Sequence, residues 1–331
     1  MSLSGPIAHS PLPLTDPAGA GADPVERVTI LMATRDGAAN LGAQLDSFVA
    51  QTHPPAQVIV SDDGSRDATV AILARFAADH PGLGLRIIAG PQRGAAANFL
   101  HLLQALPADC GPVAFADQDD VWLPDKLARG LRALRDVPDG RPALVGGRSY
   151  VCDAQLGRRR LSRMAPDAPS FRHALVQNFA GGNTMMLNAA AARLLRDAAP
   201  EAGRIVMHDW WAYQIVSGAG GHVIFDRAPL VLYRQHGANQ IGANAGLEAA
   251  LRRLGWLLKG RFRRWNAINL RALEASAHRL TPDNRAVLRD FASMQRAGLI
   301  RRMALLRRLG LFRSGVSGRV SLWMAVLLGR V

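Results

Sequence analysis

Three carboxylates fall within four residues, Asp117, Asp119 and Asp120, inside the stretch Val113 to Leu127, VAFADQDDVWLPDKL. Like charges packed this closely raise one another's pKa and oppose folding unless a cation or hydrogen bonds offset them. A hard divalent ion, Mg2+ or Mn2+, bound by one or two carboxylates and by substrate phosphate oxygens, would relieve the crowding. The alternative is a solvated acidic turn closed by Asp125 as N-cap of the next helix. A second acidic pair, Asp62 and Asp63, is followed by Gly64 and Ser65. It is either a turn that caps a helix or an acceptor for the imide N–H of a uracil or thymine base. Arg93, Gly94 and Asn98 open a helix running to Leu106, with Arg93 facing either solvent or a pyrophosphate.

Short apolar runs must position these groups. Val28 to Ala33, Gln57 to Ser61 and Leu85 to Ala89 read as strands, and Val113 to Ala116 as the end of a buried strand. Between the first two, Leu41, Leu45, Phe48 and Val49 recur at helical spacing, and Val70, Leu73 and Phe76 do so after the second. Strand and helix alternating at this spacing predict an α/β fold with right-handed βαβ units and a mostly parallel sheet covered on both faces. In such sheets ligands bind beyond the carboxyl ends of the strands. Thr34 to Asp36, Asp62 to Ser65 and Asp117 to Asp120 would therefore share one rim.

With 331 residues the chain can bury a sizeable core and carry an appendage. Its two cysteines, Cys110 and Cys152, supply neither a disulfide framework nor a CxxC metal knuckle, which fits a reducing compartment. No long apolar run or signal-like N-terminus is visible, so a cytosolic protein is expected. Residues 1–24, rich in Pro, Gly, Ala and Ser, are expected to form a disordered leader. Residues 246–331 hold 18 Lys and Arg against 4 Asp and Glu, so the whole net charge of +14 belongs to that segment. Such asymmetry signals a polyanionic partner, nucleic acid or an anionic membrane surface.

Several strings together, ATRDGA, VIVSDDGSRDAT, GPQRGAAANFLHLL, FADQDDVWLPDKL, GGNTMMLN, MHDWW and LYRQHGANQIG, resemble the family 2 glycosyltransferases, in particular their rhamnosyltransferase-like branch. The likeness covers about Val28 to Gly242. It implies a GT-A type nucleotide-sugar-binding domain over residues 25–245 and inverting transfer of a sugar from a nucleotide-sugar, usually with a divalent cation, in bacterial surface polysaccharide synthesis. Carried over by position, Thr34 and Asp63 would contact base and ribose, with Arg35 and Asp62 beside them. Asp117, Gln118 and Asp119 would hold the diphosphate and the metal, with Asp120 adjacent. The family often has an aromatic where Arg35 stands and an Asn at Asp36, so base stacking would fall to a guanidinium plane.

The resemblance also implies that Asp209 is the catalytic base. An inverting displacement needs a carboxylate opposite the leaving diphosphate and within reach of the acceptor hydroxyl; as the start of a helix, Asp209 equally suits an N-cap. Trp210 and Trp211 could form an apolar platform for a sugar ring, or belong to the core. His236 is expected near the metal or diphosphate, and His208 is expected only to orient its neighbour. Gly181, Gly182 and Asn183 resemble the acceptor-side loop.

From Leu247 onward, paired arginines alternate with Leu, Trp, Ile and Met at helical spacing, which describes basic amphipathic helices. They would lie on the inner face of an anionic membrane or pack as a subdomain on the sheet. The expected partners are a dTDP- or UDP-linked sugar and a saccharide or lipid-linked acceptor. Two competing classes, a basic nucleic-acid-binding protein and a nucleotidyltransferase, lack their own signatures: no RRM, helix-turn-helix, zinc finger or glycine-rich lysine-bearing loop is present.

Overall fold

The computed structural model describes residues 26–165, 168–235 and 260–331. The expected leader, His236 and Leu247 to Lys259 lie outside the described residues. Apolar and β-branched runs form β1 (Thr29–Thr34), β2 (Gln57–Asp62), β3 (Leu85–Ala89) and β4 (Val113–Asp117), each within a residue of its expected bounds. Helices α1 (Ala38–Val49), α2 (Thr69–Asp79) and α3 (Ala95–Gln104) connect them. Next come β5 (Val121–Trp122), α4 (Lys126–Arg135), β6 (Ala143–Cys152), β7 (Arg159–Leu161), α5 (Phe171–Ala174), β8 (Met186–Leu187), α6 (Ala189–Ala198), α7 (His208–Gly218) and β9 (His222–Arg234).

Among the described residues nine strands make one sheet in the order β3-β2-β1-β4-β8-β6-β9-β5, with β7 paired to β6. The pairs within β3-β2-β1-β4 and the β6-β9 pair are parallel. The short strands β5, β7 and β8 run antiparallel to their neighbours. This is the mostly parallel, mixed sheet that the sequence resemblance led us to expect. Alternate β1 residues serve opposite faces, as the period of two requires. Leu31 packs with Ile59, Phe99 and Phe115 on one face; Ile30 and Met32 pack with Leu45, Phe48 and Trp122 on the other. Val49 and Val70, which fall at helical spacing with the buried apolar residues of α1 and α2, are exposed. At the start of α2 the inward place is taken by Thr69, whose Oγ1 accepts the Gly37 N–H at 2.8 Å.

The C-terminal region folds as α8 (Arg261–Ala275), α9 (Pro282–Arg296), α10 (Leu299–Leu309) and α11 (Gly315–Leu327). Thr281 caps α9 by accepting the Asn284 N–H, with Pro282 just inside the helix. Leu273, Leu288, Phe291, Met294, Leu306 and Val326 join the same apolar cluster as Phe171, Trp211 and Tyr213. Polar ties reinforce the join: Arg279 pairs with Glu201, and Arg172 Nε and Arg313 Nε donate to the carbonyls of Leu309 and Val176 at 2.8 and 2.9 Å. Most apolar positions on these basic helices are thus consumed in packing on the sheet domain. Among the described residues no helix is long and apolar enough to cross a membrane.

Candidate active site

The carboxyl ends of β1, β2 and β4 open onto a cavity of about 990 Å³ that also reaches the first turn of α7. Asp63, Asp117, Asp119 and Asp209 all line it, with Thr34, Arg35, Asn98, Gln118, Gly182 and Asn183. Residues drawn from six separate stretches of sequence therefore meet in one place.

At one end, Asp63 is buried, and its Oδ2 accepts the Gly94 N–H at 2.7 Å. Gly94 holds that N–H in position at φ +85°, a left-handed conformation that glycine adopts without strain. The other carboxylate oxygen, Oδ1, has no hydrogen-bond partner among the described residues, and neither does Asn98 Oδ1. Buried acceptors without donors are costly, which marks a place where a ligand N–H or O–H belongs. The Arg35 guanidinium lies 3.9 Å from Asp63 Oδ2, and the Gln118 amide clamps the Arg35 backbone, accepting its N–H at 2.8 Å and donating to its carbonyl at 2.9 Å.

Asp62 serves the turn rather than the cavity wall. Its carboxylate accepts Thr34 Oγ1–H at 2.9 Å, the Ser65 N–H at 2.8 Å and the Ser65 hydroxyl. Arg93 is exposed and does not line the cavity either.

The acidic triplet divides. Asp117 and Asp119 line the cavity, and burial, reinforced by the charges of Asp120, Asp119 and Asp209, pushes the Asp117 carboxyl well above the ordinary range. Asp120 turns into the protein, where it is fully buried and accepts from Asn183 Nδ2 and from the Arg234 N–H at 3.1 Å. Burial first, then Asp119, raises its pKa to about 7. Asp120 is thus held by protein donors, contrary to its expected place among the metal ligands. Asp117 and Asp119 fit a Mg2+ or Mn2+ ion, because two neighbouring carboxylates on the cavity wall offer the hard oxygen donors such an ion takes, and phosphate oxygens can complete its shell. No cluster of three or more His, Cys, Asp or Glu suited to a metal occurs among the described residues.

Asp209, which lines the same cavity near enough for its charge to act on Asp117, occupies the first turn of α7. Its Oδ2 accepts the Gly182 N–H at 3.1 Å and its Oδ1 the Trp210 N–H at 2.7 Å. Burial raises its pKa to about 6 against the opposing effect of those bonds. That value suits a base working near neutral pH. Gly182 is glycine for a steric reason: a Cβ there would run into the His208 ring and come within 3.3 Å of Asp209 Cβ. His208 is itself pinned, stacked on Phe99 at 3.5 Å and edge-on to Phe115 at 5.2 Å, with burial lowering its pKa to about 3.

Trp210 and Trp211 correct the expected sugar platform. Both are buried away from the cavity; Trp210 Nε1 donates to the Ala174 carbonyl at 2.6 Å and its ring meets Trp265 edge-on, while Trp211 sits in the core. Helix α7 is buried from Asp209 to Gly218, so it has no exposed face on which a ring could stack. Sequence reasoning missed the remaining wall, formed by Ser149, Arg160, Arg163, Asn178 and Tyr233. Asn178 lies three residues before the Gly181–Asn183 loop, in QNFAGGN, and its polarity beside Phe179 was an available signal; nothing marks the two arginines.

A family model described as glycosyl transferase family 2 matches residues 29–201, more than half of the chain. The chain belongs to glycosyltransferase family 2. The enzyme is 27% identical over 231 residues to a dTDP-rhamnosyl transferase, RfbG, of Shigella flexneri, covering 68% of this chain and 78% of that one. It is 28% identical over 103 residues to an uncharacterized glycosyltransferase of Nostoc, covering 31% of each chain. Among solved structures, residues 1–349 of S. aureus TarS in complex with UDP-GlcNAc superpose with a TM-score of 0.51 at 14% identity, covering 80% of this chain and 86% of that one. The chain spans 37% of a longer TarS chain. This glycosyltransferase therefore has a rhamnosyltransferase among its relatives, and its fold is shared with a nucleotide-sugar enzyme.

Proposed function

We propose that this enzyme transfers a sugar, with inversion, from a nucleoside-diphosphate sugar to a saccharide or lipid-linked saccharide in bacterial surface polysaccharide synthesis. One observation carries the reading: a single cavity holds an unsatisfied buried acceptor at Asp63, the Asp117 and Asp119 carboxylates, and a buried carboxylate with raised pKa at Asp209. Asp63 Oδ1 would accept the imide N–H of a uracil or thymine ring, and Arg35 would cover the base. When bound, a divalent cation on Asp117 and Asp119 supplies charge neutralisation for the departing diphosphate. Asp209 takes the acceptor hydroxyl proton as that oxygen bonds to the anomeric carbon and the carbon–oxygen bond to the diphosphate breaks. The N–H groups of Gly182 and Trp210 fix the carboxylate for this step. The rhamnosyl relative supports a dTDP-linked deoxysugar as donor. His236 would contact the metal or diphosphate, and the enzyme would work at the inner face of the cell membrane.

A thermal-shift panel of dTDP- and UDP-sugars, with and without Mn2+, tests the reading. At least one donor should raise the melting temperature more with Mn2+ than without, and Asp119→Asn should remove the Mn2+ effect. A chain that no nucleotide-sugar stabilises contradicts it.

A further inference from the structure

The last helix, α11, is apolar on two opposite faces. Leu322, Ala325 and Val326 are buried against the rest of the protein. On the other side Val316 is 71% exposed, Val320 57%, and Met324, Leu327 and Leu328 are also exposed. At about 100° per residue, Val316, Val320, Met324 and Leu327 fall within an arc of roughly 80°. A helix apolar all round is normally covered all round. Scattered exposed apolar residues need no explanation, but a continuous stripe does.

The stripe continues onto α10. The two helices run antiparallel: the Arg302 guanidinium fills the space beside Gly329, and that of Arg307 lies 5.7 Å from the centre of the Trp323 ring. The start of α10 therefore stands beside the end of α11, which brings Leu299 and Ile300, the latter 87% exposed, to the Leu327 end of the stripe. Arginines border it. Arg301 and Arg319 are exposed, and residues 260–331 contain 15 Arg against 3 Asp and Glu.

We propose that the α10–α11 hairpin docks flat on an anionic lipid surface, with Ile300, Val316, Val320, Met324 and Leu327 entering the headgroup boundary and Arg301 and Arg319 meeting lipid phosphates. Charge selects this occupant. A second copy seated on the same face would set one arginine border against another, whereas an anionic bilayer complements both the apolar stripe and its rim. With 13 residues, α11 is about 20 Å long, too short for the roughly 30 Å hydrocarbon layer, so it lies on the surface. The membrane setting rests on the reading above, since a lipid-linked acceptor is confined to that plane; the docking itself stands on the stripe and its charge.

The test is sedimentation of the full chain with vesicles of phosphatidylcholine containing about 30% phosphatidylglycerol, compared with phosphatidylcholine alone. The unmodified protein should pellet with the anionic vesicles and far less with the neutral ones. The double variant Val320→Gln, Met324→Gln should bind at least tenfold more weakly. Both sites are exposed, so an unchanged melting curve and retained donor-induced thermal shift verify its fold and separate this result from any failure of the donor site. Equal vesicle binding by the variant overturns the proposal. So does an unmodified protein that ignores anionic vesicles, or one that is dimeric where the variant is monomeric, an outcome assigning the face to a second copy.

Discussion

Replacing Asp209 by Asn should separate stability from activity, and the pH dependence of the separation can be worked out. Burial raises this carboxyl from 3.8 to about 6. The folded chain therefore holds the proton more tightly than the unfolded chain. The contribution to stability is greatest below about pH 4, falls as pH rises to about 6, and is flat above that. At 1.36 kcal/mol per pH unit, ionising Asp209 costs the native state about 3 kcal/mol at neutral pH. Asn removes that cost. It also loses one bond, because the N–H groups of Gly182 and Trp210 donate to different oxygens of Asp209, and an amide offers only one acceptor oxygen. That loss does not depend on pH, so it cancels when variant and parent are compared at two pH values. About 2 kcal/mol of the ionisation cost falls between about pH 4.5 and pH 8, so over the unfolding entropy of a 331-residue chain the melting-temperature difference, variant minus parent, should become more positive by roughly 3 °C. Differential scanning calorimetry of both proteins reads it directly. A difference that stays constant, or moves the other way, refutes the assignment of a buried, proton-retaining carboxyl.

Other outcomes follow from the same geometry. The rate at limiting acceptor should rise with pH through about 6 and then level off, following ionisation of Asp209; a profile flat from pH 5 to pH 8 contradicts its role. Gly182→Ala should cost about 1–3 kcal/mol in denaturant melts and depress transfer, because its Cβ displaces the His208 ring and the first turn of α7. Asp63→Ala should weaken donor binding at least about tenfold in calorimetric titration, whereas Asp62→Ala, which strips acceptors from Thr34 and Ser65, should cost about 1–3 kcal/mol of stability and leave donor affinity within a few-fold. The reverse pattern would exchange the roles of the two residues.

How much of this was legible beforehand depended on local pattern. The first four strands were readable because each is a short, mainly apolar run flanked by turn residues; β1, β2 and β4 are buried on both faces, while β3 lies at the sheet edge and is partly exposed. The strands β5, β7 and β8 are two or three residues long and exist only through their partners. β9 runs from His222 to Arg234 straight through Pro229, which cannot donate to a ladder and reads as a strand break in sequence; the pairing with β6 shifts register nearby. Composition brought the acidic residues to one rim but could not say which way each points. Asp119 and Asp120 are neighbours, yet one faces the cavity and the other accepts from Asn183 and Arg234, residues 63 and 114 positions away. The tryptophans failed for a related reason: adjacency to Asp209 in sequence says nothing about which side of a fully buried helix they occupy.

The most direct test of the central claim is a single-turnover assay of sugar transfer by Asp209→Asn at saturating donor, with donor affinity measured in parallel. Transfer should fall by about 10²–10⁴-fold while donor affinity stays within a few-fold of the parent enzyme. Transfer at the parental rate would contradict it.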